Sequence, residues 1–218
     1  MILAEISSLL QKGKAKDVKL LVQQALDEGI APVDILNEGL IGGMTVIGGK
    51  FKRNEVFVPE VLVAARAMNS GLEILRPALV ATGTRSVGKA LICTVRGDLH
   101  DIGKNLVKMM LEGQGVEVVD LGVDVEPQTI VEAVRTLEPD LVCLSALLTT
   151  TMMGQKDTIE ALKDARLRDR VHVLVGGAPV TKGFAEEIGA DGYAADAASA
   201  AEIALRFLLE KRSAHETV

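Results

Sequence analysis

With 218 residues, 48% of them apolar, and no polar low-complexity tract, the chain reads as globular throughout, with room for one large or two small domains. A net charge of −6 without a basic cluster argues against nucleic acid as a partner, and 2% aromatic residues with no Trp leave no stacking platform for bases. No apolar stretch is long enough to span a bilayer and no arginine-flanked apolar leader opens the sequence, so a cytoplasmic protein without membrane contact is expected.

The first eighty residues contain nothing that alternates like a strand. Residues 2 to 12 form a short apolar-rich helix, and Val18, Leu21, Val22 and Ala25 mark one face of a second, with Gly29 as its stop. Pro32 suits the first turn of a third helix with the stripe Val33, Leu36, Leu40, Met44, Ile47 and Phe51. A fourth begins near Val58-Pro59 and carries Val61, Leu62, Ala65, Met68, Leu72 and Leu75 up to Pro77. Four amphipathic helices with short connections predict a bundle. The third helix also holds Gly39, Gly42, Gly43, Gly48 and Gly49, each costing about 1 kcal/mol relative to Ala in a helix interior. Close helix contact, a break near Gly48, or a bulky ligand or domain lying against this region would account for them.

Residues 79 to 88 lose the periodicity and read as a linker. Beyond it the pattern alternates, with strands near 89–95, 116–120, 140–145, 171–175 and 192–195. Helices fall near 103–113, 126–138, 152–167, 181–189 and 197–211. The fold class is therefore α/β preceded by α: a four-helix bundle over 1–86, then a doubly wound, flavodoxin-like five-stranded parallel sheet over 87–218, with strand order 2-1-3-4-5. Cys93 and Cys143 lie inside apolar strand-like runs and are expected to be buried free thiols.

The first strand runs into Arg96-Gly97-Asp98-Leu99-His100-Asp101-Ile102-Gly103-Lys104-Asn105, a strand-to-helix loop at the carboxyl edge where such sheets bind ligands. The predicted strand order sets this loop opposite Ser145, Leu147 and Thr149, which follow strand 3. Gly176-Gly177 ends strand 4 on the same edge, a pair that lets a ligand approach the backbone closely. His172 precedes an apolar run and His215 is in the polar tail, which leaves His100 as the candidate for imidazole chemistry. No G-x-G-x-x-G follows the first strand, and neither a Walker lysine motif nor a nucleophile elbow is present. Asp124 with Glu126 reads as a helix start. One imidazole falls short of a three- or four-ligand metal site and suits a metal whose other positions a macrocycle already fills.

Asp98-Leu-His100-Asp101-Ile102-Gly103 resembles the Asp-x-His-x-x-Gly signature of cobalamin-binding domains. Ser145-Ala-Leu147 resembles their Ser-x-Leu, and Gly176-Gly177 their glycine pair. The four-helix half is similar to the cap module of methionine synthase and of the corrinoid carrier proteins of methyltransferase systems. The resemblance implies a helical cap domain over 1–86 and a Rossmann-like cobalamin-binding domain over 87–218. It implies that His100 is the lower axial ligand of cobalt, that Asp98 accepts its other ring N–H, and that a hydroxyl from Thr151 or Ser145 extends the relay. Asp101, Ile102, Gly103 and Leu147 would lie with the motif against the cofactor, and Ser145, Thr149, Gly176 and Gly177 would line the pocket for its nucleotide tail. Val58 or Leu62 is expected to cover the upper face.

The activity implied is carriage of a methyl group on cobalt, with no catalytic residue of the chain's own. Expected partners are a methyltransferase that loads the group from methanol, a methylamine, a betaine or an aryl methyl ether, a second that passes it to a folate or a thiol, and a reductive activator. Two other classes stand beside this one. A cobalamin-dependent sensor would share both domains but lack methyl transfer, and a receiver-like domain would use Asp98 as phosphoacceptor.

Overall fold

In the computed structural model residues 2–82 and 86–216 are described, so positions 83–85 of the expected linker lie outside the described residues. The chain divides into two units, Met1–Ser86 with Glu112–Gly115, and Val87–Leu111 with Val116–Val218.

The helical unit follows the apolar periodicity. Helix α1 (Ile2–Gln11) buries Ile6 and Leu10, and α2 (Ala15–Asp27) buries Val18, Val22 and Ala25 before Gly29 takes a left-handed φ of 79°. The expected third helix is three pieces: α3 (Pro32–Asp34), a π-helical segment Ile35–Ile41, and α4 (Gly42–Lys52). The wider π turn shifts the buried stripe, so Ile35, Leu40, Met44 and Ile47 face inward while Val33 is exposed. Helix contact accounts for two of its glycines. A Cβ on Gly39 would meet Ile6 Cγ2 at 3.2 Å, and one on Gly43 would meet Leu10 Cδ2 at 3.0 Å and Ser7 O at 3.2 Å. The helix does not break at Gly48. The fourth helix, α5 (Val58–Ala81), continues past Pro77, where a stop was expected. Fully buried Val61, Ala64, Ala67 and Leu75 hold it, and only one turn follows the proline, so few backbone bonds are lost.

The second unit alternates strand and helix. In order it contains β1 (Lys89–Thr94), α6 (Ile102–Glu112), β2 (Glu117–Asp120), α7 (Pro127–Leu137), β3 (Leu141–Ser145), α8 (Met153–Asp164), β4 (His172–Gly176), α9 (Lys182–Ile188), β5 (Gly192–Ala194) and α10 (Ala197–Glu216). All neighbours pair in parallel in the order β2-β1-β3-β4-β5, as the sequence predicts. Continuous apolar strands are what a sheet covered on both faces requires. Leu91, Cys93, Val142, Leu144, Val173 and Val175 point to one face, in a single core with Ile130, Val134 and Ile159. Alternation sends Ile92, Thr94, Cys143, Ser145, Leu174 and Gly176 to the other. Cys93 and Cys143 are free and buried, and burial, with smaller contributions from neighbouring groups, pushes each thiol up to about 12. Among the described residues no helix is long and apolar enough to cross a membrane.

The topology fixes where chemistry can occur. β1 and β3 are neighbours whose following helices leave in different directions, so the loops after Thr94 and Ser145 meet at one edge.

Candidate functional site

β1 ends at Thr94, whose buried hydroxyl donates to the His100 carbonyl at 2.8 Å and so draws the loop back over the strand end. Gly97, at φ 80°, turns the chain, and Asp98 enters the protein with none of its surface exposed. A buried carboxylate must find donors, and this one has five. Its Oδ1 accepts His100 Nδ1 at 2.7 Å and His100 N at 3.1 Å. Its Oδ2 accepts Thr151 Oγ1 at 2.6 Å, Leu147 N at 2.7 Å and Leu148 N at 3.4 Å. Burial by itself pushes the Asp98 carboxyl up. The donors from Thr151, Leu147 and His100 together outweigh it and hold the group well below the usual carboxylate range.

An ionised Asp98 accepts the hydrogen bond from the His100 Nδ1–H, which leaves the Nε2 lone pair available. The His100 side chain is 51% exposed, so this lone pair is presented outward. Around it lie apolar side chains left in the open: Leu99 is 71% exposed, Ile102 78%, and Leu147 and Leu148 are also exposed. Exposed apolar side chains beside a half-exposed imidazole make a surface suited to a large flat ligand. Among the described residues no group of three or more His, Cys, Asp or Glu side chains is placed to hold a metal ion. One imidazole fits a metal that brings its remaining ligands with it.

The structure therefore brings Asp98, His100, Leu147 and Thr151 together, and it chooses Thr151 over Ser145 as the hydroxyl on Asp98. Ser145 pairs in register with Thr94 and Gly176 at the strand ends. Asp101 caps locally, its carboxylate accepting Asn105 Nδ2 at 2.9 Å. Ile102 opens α6, and a Cβ on Gly103 would meet nothing within 4 Å. Thr149 is exposed and takes no part in the bonds to Asp98. The glycine pair has a reason of its own, apart from any ligand. Gly177 has φ 127°, and a Cβ there would overlap the carbonyl oxygen of Ala146, while one on Gly176 would meet Ala194 O at 3.0 Å. Val58 and Leu62 open α5 in the helical unit, Leu62 exposed.

Some participants escape a reading by pattern. Thr94 is a polar residue near the end of the apolar run Ala90–Val95, and that oddity was its signal. Lys104 is buried at 3% exposure, with Nζ on both carboxylate oxygens of Asp120 at 2.7 and 2.8 Å and on Asn105 Oδ1 at 2.8 Å. Burial pushes the Asp120 carboxyl up, and Lys104 with the Gly122 N–H more than offsets this, leaving it lowered. Asp124, expected at a helix start, instead accepts Gly97 N at 2.6 Å. The residue capping α7 is Glu126.

A family described as a B12 binding domain matches residues 88–202, and a second B12 binding domain family matches residues 2–76. The chain belongs to the B12-binding family. As a B12-binding protein it takes cobalamin as its cofactor. A monomethylamine corrinoid protein of Methanosarcina mazei is 44% identical over 193 residues, 86% of this chain and 88% of its own. A dimethylamine corrinoid protein of Methanosarcina acetivorans is 43% identical over 211 residues, 96% of this chain and 97% of its own. Among solved structures the methanol:cobalamin methyltransferase complex MtaBC from Methanosarcina barkeri aligns with a TM-score of 0.84 at 30% identity, covering 96% of this chain and 84% of that one. Both halves of this B12-binding chain are thus accounted for by corrinoid proteins and their relatives.

Proposed function

We propose that this protein carries a methyl group on a bound corrinoid between two methyltransferases, with residues 1–86 as the helical cap and 87–218 as the cobalamin-binding domain. The observation that carries the reading is the 2.7 Å bond from His100 Nδ1 to buried Asp98, which leaves Nε2 as the nitrogen that would ligate cobalt. When bound, the corrinoid supplies the nucleophilic cobalt that accepts the methyl group and later yields it.

The chain's own part is to hold and tune. Asp98 fixes the tautomer of His100 and raises its donor strength, and Thr151 and the Leu147 N–H keep Asp98 ionised. With cobalamin bound, His100 would hold the metal, and the hydrogen bond to Asp98 would govern how strongly the imidazole donates to it. Ile102, Leu147 and the open backbone at Gly103 give the macrocycle an apolar seat, with Asp101 at its edge. Ser145, Thr149, Gly176 and Gly177 would hold the nucleotide tail, and Val58 or Leu62 is the residue assigned to cover the cofactor until a methyltransferase displaces it.

Its relatives' names point to methylamines, and the MtaBC likeness to methanol, as the donor class. The acceptor is a folate or a thiol reached through the second methyltransferase. A reductive activator restores cobalt that has been oxidised, and the setting is the cytoplasm. Purified protein loaded with hydroxocobalamin and reduced to the Co(I) state with a strong chemical reductant should take up methyl from a methylamine or methanol methyltransferase in a single turnover. Wild-type protein should also show axial nitrogen from His100 by electron paramagnetic resonance of the Co(II) form. Identical spectra and affinity in His100→Ala would sink the axial assignment, and failure with every donor methyltransferase would sink the carrier role.

A further inference from the structure

Asp98 has to satisfy three separate groups at once, on His100, Leu147 and Thr151, which demands that its backbone be placed to within a few tenths of an ångström. What places it is not evident from the motif. Within its own loop Asp98 N donates to Val95 O at 3.2 Å, a long bond, and the preceding Gly97 is a left-handed turn with no side chain to anchor it. The missing restraint comes from the loop after β2. Asp124 Oδ1 accepts Gly97 N at 2.6 Å, and Asp124 N donates to Asp98 O at 3.0 Å, so one residue grips the chain on both sides of the 97–98 peptide.

The gripping loop is itself anchored. Thr94 N donates to Gly122 O at 3.0 Å, Val125 N donates to Thr94 O at 3.1 Å, and Val95 bridges Val125. Gly122 N donates to Asp120 Oδ1 at 2.9 Å, and Asp120 is the partner of buried Lys104 on α6. The residue type at 124 fits the task. Its φ is 53°, a conformation that Asp, Asn and Gly tolerate and most residues resist. Its carboxylate is not spent on its own helix, since α7 starts beyond Glu126 with Pro127 in its first turn.

We propose that Asp124 is a positioning residue for the axial histidine, acting through the Gly97–Asp98 peptide. This rests on the assignment of His100 as axial ligand. The bonds of Asp124 run to Gly97 N and Asp98 O, on the backbone of the loop rather than to the imidazole. Its effect passes entirely through the position of Asp98, which separates it from the Asp98–His100 pair itself.

The test uses Asp124→Gly, which keeps the left-handed backbone and deletes the acceptor, and Asp124→Asn, which keeps both. Asp124→Ser, with an oxygen too short to reach Gly97 N, replaces the glycine variant if that one melts below the working temperature. Two readouts are taken on full-length protein: the exchange-protected His100 Nδ1–H signal by 15N NMR without cofactor, and the affinity for hydroxocobalamin. The glycine variant should lose the protected signal and bind hydroxocobalamin about tenfold more weakly, the equivalent of one hydrogen bond. The asparagine variant should stay within about twofold of wild type. A glycine variant with the protected signal and wild-type affinity overturns the proposal, as does an asparagine variant impaired to the same degree as glycine. If instead wild type and His100→Ala bind hydroxocobalamin alike, the axial assignment has failed, a result distinguishable from either.

Discussion

Glycines do opposite work in the two units. In the helical unit Gly39 and Gly43 let the π segment and α4 approach α1, and a methyl group would strike the Ile6 side chain at Gly39 and, at Gly43, first the tip of Leu10 at 3.0 Å and then the Ser7 backbone at 3.2 Å. Side chains can move. In the sheet unit Gly177 stands against the carbonyl of Ala146, a residue just past β3 whose own N–H donates to Gly176 O at 3.2 Å, and backbone held in this way yields less than a side chain. The helical half is thus specified by packing that gives gradually, whereas the sheet half is specified at its carboxyl edge by backbone and hydrogen bonds that do not.

The largest break in that contrast should be Gly177→Ala. Overlap with Ala146 O combines with a φ of 127°, so a loss of about 4 kcal/mol or more is expected, read as collapse of the denaturant midpoint. Next is Thr151→Val, which keeps the shape and removes a donor to a buried carboxylate, for about 2 kcal/mol at neutral pH. The sign with pH follows from the lowered Asp98 carboxyl. Its contribution is complete above the ordinary aspartate value near ~4 and is lost as pH falls through the lower native value. Taking away Thr151 raises that native value, so the variant's extra instability should shrink in acid while its acid midpoint moves upward. Equal losses for Thr151→Val at pH 7 and at pH 2 would contradict the role given to Asp98.

Gly43→Ala should cost only about 1 kcal/mol, because crowding against Leu10 and Ser7 is partly offset by better helix propensity. A loss as large as that at Gly177 would erase the contrast. The smallest effect, and the most discriminating, is Gly103→Ala. With nothing within 4 Å it should raise the melting free energy of the cofactor-free protein by about 0.5–1 kcal/mol. If the corrin lies against this helix start, the same variant should bind hydroxocobalamin more weakly; unchanged affinity would remove Gly103 from the site.

The sheet was legible in the sequence because its signals are local. Short β-branched runs separated by helical periods mark the strands, and 2-1-3-4-5 is a common order for a doubly wound sheet of five such units. The Asp98–His100 pair was legible for the same reason, two residues apart on one loop. What stayed hidden depends on partners far along the chain. Choosing Thr151 over Ser145 requires knowing how the loop after β3 curls, since both hydroxyls follow the same strand. The π turn at Ile35–Ile41 inserts one residue into a stripe whose spacing still looks α-helical, and it left Val33 outside. Gly176-Gly177 was legible as a pair, but its need for Ala146 O and Ala194 O arises only when three strand ends meet. Pro77 misled because a local rule was overruled by burial along the rest of α5.

The two sulfur atoms have a practical bearing on electron counting. With Cys93 and Cys143 enclosed by the sheet and each thiol pushed up to about 12, almost no thiolate exists at neutral pH to be alkylated or oxidised. Titrating the loaded protein with a strong reductant therefore measures equivalents delivered to cobalt alone, with no cystine reserve to subtract.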